Sequence, residues 1–345
     1  MWVKILAAFA TPILAAVLVM SVLTATHHTA VPDLALPSVP SAARFTASDG
    51  SAKPIPPGAC LGNVPKHFAG LAVKKNITQN SQTFQTVTGN APQIVEFYNP
   101  FLKPFAAHQA LEVINAGEIP LIQLNPYHVS ERRIAEGVYD RRLKAYAVAV
   151  RKFGCAVVLS FGHEMNGWWY PWGVKGHTTP ADFIAAWRHV HDVFAKNGAR
   201  NVIWSWDPSH QYSSPKPGKI ATPASEWYPG SKYVDWIGLD GYLGYDTNGH
   251  PQTFSEIFSF QLNDIRHVAP HKLIYIAETG VAPGPAALAQ IRALFHGIAA
   301  YRLAGLVWFD ALGQADSHGT LKEYRLQLKT AEAKVYKKHL SEFLR

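Results

Sequence analysis

The chain is short of cysteine and of charge. Its two cysteines, Cys60 and Cys155, stand far apart and neither belongs to a Cys-x-x-Cys pair, which removes zinc ribbons and dithiol redox sites from consideration. Cys155 opens the apolar run Cys155-Ala156-Val157-Val158-Leu159 and reads as a small buried hydrophobe. An exported chain can join the two, but sequence does not show whether their geometry allows a bond. Charged residues make up only 16% of the 345 positions against 48% hydrophobic, a globular balance rather than a disordered one. The formal net charge is +8, yet the basic runs Arg132-Arg133, Arg141-Arg142 and Lys337-Lys338 are short and fall on expected helices. They read as solvated outer faces, so nucleic acid is not an expected partner. A weak attraction to anionic wall polymers or lipid headgroups stays open. No glycine-rich phosphate loop follows an early strand, which counts against a nucleotide-binding open sheet. His163-Glu164 begins like a zinc-protease motif, but the second His would fall where Gly167 stands, and no other His/Asp cluster has ligand spacing. Neither a metal nor a cofactor is expected.

What is abundant is aromatic. Ten Trp, fourteen Tyr and seventeen Phe either fill a large core or offer flat faces to sugar rings. The N-terminus is apolar: residues 5–25 read ILAAFATPILAAVLVMSVLTA after Lys4. The expected organisation is a signal peptide or membrane anchor over residues 1–30, a Pro/Ala/Ser-rich linker over 31–58 and a catalytic domain over 59–345. A secreted protein, or one held on the outer face of the membrane by residues 5–25, follows from that division. A monomer is expected.

From residue 67 onward, short apolar runs alternate with helical patterns. The expected strands are Ala69–Val73, Gln93–Phe97, Ile119–Leu124, Ala156–Phe161, Asn201–Trp206, Val234–Leu239, Leu273–Ala277 and Gly305–Phe309. The clearest helical patterns cover 131–153, 180–197, 252–268, 285–302 and 321–342, and the segments after the first and fifth strands are weak as helices. Eight β-then-α units of this size predict an α/β fold, a (β/α)8 TIM barrel, in which chemistry belongs at the C-terminal ends of the strands.

Those ends carry two carboxylates. Glu164 follows strand 4 within Gly162-His163-Glu164-Met165-Asn166-Gly167-Trp168-Trp169-Tyr170-Pro171-Trp172-Gly173, and Glu278 follows strand 7 within Ala277-Glu278-Thr279-Gly280. Glycoside hydrolysis needs such a pair: one carboxyl protonates the leaving oxygen, and in a retaining enzyme the other attacks the anomeric carbon. The remaining ends contribute Gln123, Asn125 and Tyr127, then Trp206-Asp207, Asp240-Gly241-Tyr242 and Trp308-Phe309-Asp310, residue types that stack on sugar faces and bond hydroxyls. Candidate substrate-binding residues are therefore Trp169, Trp172, Tyr242, Trp308, Trp206, Asp207 and Asn125, with Trp206 and Trp308 equally suited to plug the core.

With these motifs the sequence resembles glycoside hydrolase family 26, a family of β-mannanases and related β-glycanases. The most specific block is 163–173, supported by Ile134-Ala135-x-Gly137-x-Tyr139-Asp140, by Asp235 through Tyr242 and by the Glu278 segment. The resemblance implies that Glu164 is the general acid/base and Glu278 the nucleophile. It further implies that His163 and Trp169 shape the subsite at the cleavage point, that Tyr242 bonds the nucleophile, and that Trp308 stacks on sugar. The family's mannanases often carry Arg-Pro shortly before this block, where this chain has Ser160-Phe161-Gly162. The expected substrate is a β-1,4-mannan-type polysaccharide, with a β-1,3-1,4-glucan or another β-glycan as the alternative. A reading of a different class is a non-catalytic glycan-binding wall protein, which would have no use for a carboxylate pair.

Overall fold

The structure is a computed structural model that describes residues 60, 65–210, 223–246, 248–315, 321–326 and 330–345. The expected N-terminal signal or anchor and the linker lie outside these residues.

Eight parallel strands close into a barrel in sequence order: β1 Phe68–Ala72, β2 Ile94–Pro100, β3 Ile119–Asn125, β4 Val157–Phe161, β5 Val202–Trp206, β6 Trp236–Asp240, β7 Leu273–Thr279 and β8 Gly305–Phe309, with β1 hydrogen-bonded to β8. Helices α1 Ile77–Thr88, α2 Ala107–Asn115, α3 Glu131–Ala135, α4 Asp140–Phe153, α5 Pro180–Lys196, α6 Phe254–Val268, α7 Ala287–Ala300 and α8 Ala331–Phe343 accompany them. This is the expected (β/α)8 barrel.

The local reasons are ordinary ones. Helix α4 buries Leu143, Tyr146, Ala147, Val150 and Phe153, a helical stripe, and closes on Gly154 at φ 78°, whose N–H bonds the Val150 carbonyl. Helix α6 starts with a capping box in which Thr253 and Glu256 bond each other's backbone N–H. Three expectations shift. The single helix read over 131–153 is two, α3 and α4, separated by a turn that includes Gly137 at φ 78°. The last helix begins at Ala331, capped by Thr330, because residues 321–323 form a strand paired with Leu312–Ala315. The segment after β1, weak as a helix in sequence, forms the twelve-residue α1, which buries Ile77, Phe84 and Val87.

Strand residues alternate between two environments, as a pleated strand requires. One set packs outward against the helices: Leu159, Phe161, Trp204, Trp206, Ile237, Leu239, Leu306 and Trp308. The other fills the barrel: Phe68, Ile94, Ile119, Leu121, Val158, Ile203, Trp236, Tyr275, Ala277, Val307 and Phe309. Toward the C-terminal end, the inward positions turn polar, with Glu96, Gln123, Ser160, Ser205, Asp207 and Asp240 all buried. Cys60 and Cys155 are joined by a disulfide with Cα atoms 5.1 Å apart, which ties the chain before β1 to the turn before β4.

Candidate active site

Glu164 and Glu278 both reach the mouth of the barrel, and each does so by a local break in regular backbone. β4 ends at Phe161, and Glu164 adopts φ 53°, a left-handed conformation that costs a non-glycine residue about 1–3 kcal/mol. Its backbone N–H is held by the Asp207 carbonyl at 2.7 Å, which fixes the turn against the end of β5. In β7 the pairing register shifts between Gly238 and Asp240 of β6 and again between Ile276 and Thr279 opposite β8. Strict alternation would send Glu278 outward with Ile274 and Ile276. The bulge gives one extra residue, so Glu278 turns inward after Ala277.

The two carboxyls have different partners. The indole N–H of Trp169 donates to Glu164 Oε2 at 2.6 Å. Glu278 accepts from two phenols: Tyr98 donates to Oε2 at 2.6 Å, and Tyr242 donates to Oε1. Burial, and then the charge of Glu278, push the Glu164 carboxyl up to about 8. Burial also raises Glu278, but the Tyr242 and Tyr98 hydroxyls and the Lys74 ammonium oppose it. The single negative charge of the pair therefore resides on Glu278 and the proton on Glu164.

His163 is buried, and burial holds it at about 3, hence neutral. Its Nδ1 faces Asn125 Oδ1 at 3.0 Å, so Nδ1 carries the proton and donates. Tyr170 packs edge-on to His163 at 4.9 Å and stacks on Trp172 at 4.3 Å. Gly167 is required by close approach: a Cβ there would lie 2.5 Å from the Trp169 ring, so only glycine lets that indole fold back onto Glu164. Gly238 serves the layer below, where a Cβ would stand 2.3 Å from Asp207 Oδ1.

Six of the residues expected from sequence converge here: Glu164, Glu278, His163, Trp169, Tyr242 and Asn125. Four do not line the opening. Trp308 is 2% exposed, donates its N–H to the Tyr324 carbonyl at 2.7 Å and packs edge-on to Tyr336 of α8, so it is a core plug rather than a sugar platform. Trp206 is likewise on the outward parity, fully buried and against Tyr228. Trp172 is fully buried behind Tyr170, with its N–H on the His163 carbonyl at 2.7 Å. Asp207 lies beneath the mouth, its carboxylate taken up by Ser205 Oγ at 2.5 Å, Gln123 Nε2 at 3.1 Å and the Gly238 N–H at 3.2 Å.

Several residues of the site escaped the sequence reading. Tyr98 occupies the position right after the expected second strand, so the same strand-end logic would have found it. Asn166 joins the β4 and β5 ends by bonding both the N–H and the carbonyl of Ser209, each at 2.8 Å. Glu96 is fully buried against Gln123 and Glu278, and Asp240, which the sequence places at a strand end, is fully buried as well. Burial and the charge of neighbouring carboxylates push both well above the usual carboxylate range, so both are neutral acids. A charged residue at an inward position of a barrel strand was the available signal. Among the described residues no group of His, Cys, Asp and Glu has the arrangement to hold a metal ion.

Comparison with known proteins gives the same picture. Residues 134–301 match the model of Glycosyl hydrolase family 26. The chain is 31% identical over 209 residues to Endoglucanase H of Acetivibrio thermocellus, covering 57% of this chain and 22% of that protein. It is 31% identical over 133 residues to Mannan endo-1,4-beta-mannosidase A and B of Caldalkalibacillus mannanilyticus, covering 37% of this chain and 22% of that one. The chain thus spans about a fifth of the length of these curated relatives. Among solved structures, a modular endo-beta-1,4-mannanase from Cellulomonas fimi shares the fold, with a TM-score of 0.59 at 15% identity over 80% of this chain and 70% of that one. The matched segment, just under half of the chain, carries the Glu164 block, the Tyr242 block and Glu278 in order, and over it the chain is similar to glycoside hydrolase family 26.

Proposed function

We propose that the protein is a retaining endo-β-glycanase acting on a β-1,4-mannan-type polysaccharide, with Glu164 as general acid/base and Glu278 as nucleophile. The observation that carries this reading is the division of one proton between two carboxyls at one mouth, neutral beside an indole and anionic between two phenols. Glu278 attacks the anomeric carbon while Glu164 delivers its proton to the departing oxygen. Once Glu278 is an ester its charge is gone, the main electrostatic reason for Glu164 to hold a proton weakens, and Glu164 takes a proton from the incoming water. Tyr98 and Tyr242 orient the nucleophile. Trp169 and His163 form the walls around the sugar that reacts.

A second reading is a β-glucan substrate, favoured by the long match to an endoglucanase and by the missing Arg-Pro pair ahead of the Glu164 block. The Cys60–Cys155 disulfide supports an exported enzyme, secreted or held outside the membrane, because such bonds persist in oxidising compartments. Release of reducing sugar from mannan, lichenan and xylan tests the reading. The expected order is mannan first. Fastest release from lichenan would move the assignment to the glucanase, and release from none would favour a glycan-binding protein without activity.

A further inference from the structure

A cavity of about 530 Å³ opens beside the nucleophile, between the β1 and β2 ends and α2. Its size is that of a small-ligand site. Tyr98 lines it and at the same time donates to Glu278, so the cavity and the reacting centre share a wall. The Lys74 ammonium, which also lines it, acts on the charge of Glu278, and lies 5.2 Å over the Phe309 ring. Glu164 is bonded to Trp169, which does not line the cavity and stands next to the exposed Trp168. The acid stands at the leaving-group side of the bond it protonates. A sugar held in the cavity would adjoin the unit that reacts at Glu278, across the wall that Tyr98 forms.

Charge distinguishes the cavity from the centre. The mouth itself carries the negative charge of Glu278, which repels a second anion. The cavity is lined instead by Lys74, Lys75 and His108, with Glu112 as its acidic member, and Glu112 is paired with His108 at 3.2 Å. A negative substituent is thus disfavoured on the sugar that reacts and favoured one unit away.

We propose that this cavity is a subsite for a sugar bearing a carboxylate, so that the enzyme cleaves best where an acidic unit adjoins the one that reacts. The inference rests on the β-glycanase reading and adds the charge of the substrate. The test compares a neutral β-1,4-mannan with the same polymer partly oxidised at C6 to the carboxylate, at low salt. The ratio of kcat/KM for oxidised over neutral polymer is expected to exceed one. In Lys75→Gln and in Lys74→Gln/Lys75→Gln it is expected to fall by up to about fivefold for each lysine removed, mainly through KM, and to shrink in added salt. A ratio at or below one in the natural protein, or variants that depress both substrates alike, would overturn it. Binding of the oxidised and neutral oligosaccharides, measured by calorimetry, separates this inference from the activity. Tighter, salt-sensitive binding of the acidic oligosaccharide upholds the cavity's role even if neither polymer is cut, and equal binding refutes it even if both are.

Discussion

One glutamate stands just after β4 and another in the last residues of β7, and the barrel gives the two side chains different surroundings. Glu164 leaves its strand through a left-handed turn and meets the Trp169 indole and the Ser209 side chain. Glu278 leaves through a bulge and meets two phenols, with the Lys74 charge nearby. Both are desolvated, so burial alone does not set them apart. The neighbours do: each hydrogen bond to a carboxylate favours its ionised form, and Glu278 has the Lys74 ammonium as well. The lesson is that neighbours at a strand end, not the strand or the residue type, set the proton affinity of each carboxyl, and the proposed roles rest on that difference.

That contrast can be broken by substitution. Glu278→Ala removes the attacking group, and turnover should fall on the order of 10⁴-fold or more for every substrate, whatever the leaving group. Glu164→Ala should lose about 10²–10⁴-fold on polysaccharide but much less on an activated aryl glycoside, where little protonation is needed, and azide should restore part of the rate. Equal losses of both variants on both substrates, measured side by side, would erase the difference in role.

Smaller changes sharpen it. Tyr98→Phe or Tyr242→Phe each removes a hydrogen bond to a charged group and should lower kcat/KM by about 10–100-fold. A carboxylate that loses a donor ionises at higher pH, so the acid limb of the pH profile should move upward in both variants. Activity in the natural protein should decline as pH rises through about 8, where Glu164 gives up its proton. Because the Trp169 N–H favours ionised Glu164, Trp169→Phe should carry that alkaline limb to still higher pH. An alkaline limb that stayed in place would mean that a different group controls it.

The barrel was legible because eight short apolar runs and their intervening helical stripes lie in regular order, and most strand ends fall within one or two residues of where periodicity put them. That Glu164 and Glu278 would meet at the mouth was legible because barrels put chemistry at those ends. Parity was not. Trp308 and Phe309 are neighbours in sequence, and one faces a helix while the other faces the mouth with Tyr242 at 5.9 Å. A slip of one position exchanges platform and plug, and an apolar strand covered on both sides gives no alternation from which to read it. Trp206 failed for the same reason. The β7 bulge was equally hidden, since nothing in Leu-Ile-Tyr-Ile-Ala-Glu-Thr marks an extra residue. Glu96 was passed over inside a run read as a plain buried strand.

Covalent trapping tests the division of roles most directly. A 2-deoxy-2-fluoro glycoside with an activated leaving group slows both steps and lets the glycosyl ester accumulate. Mass spectrometry of the digested protein should find the sugar on the peptide containing Glu278, and the label should be absent from Glu278→Ala. A label on Glu164 or Asp240, or an inverted product with no label at all, would contradict the assignment.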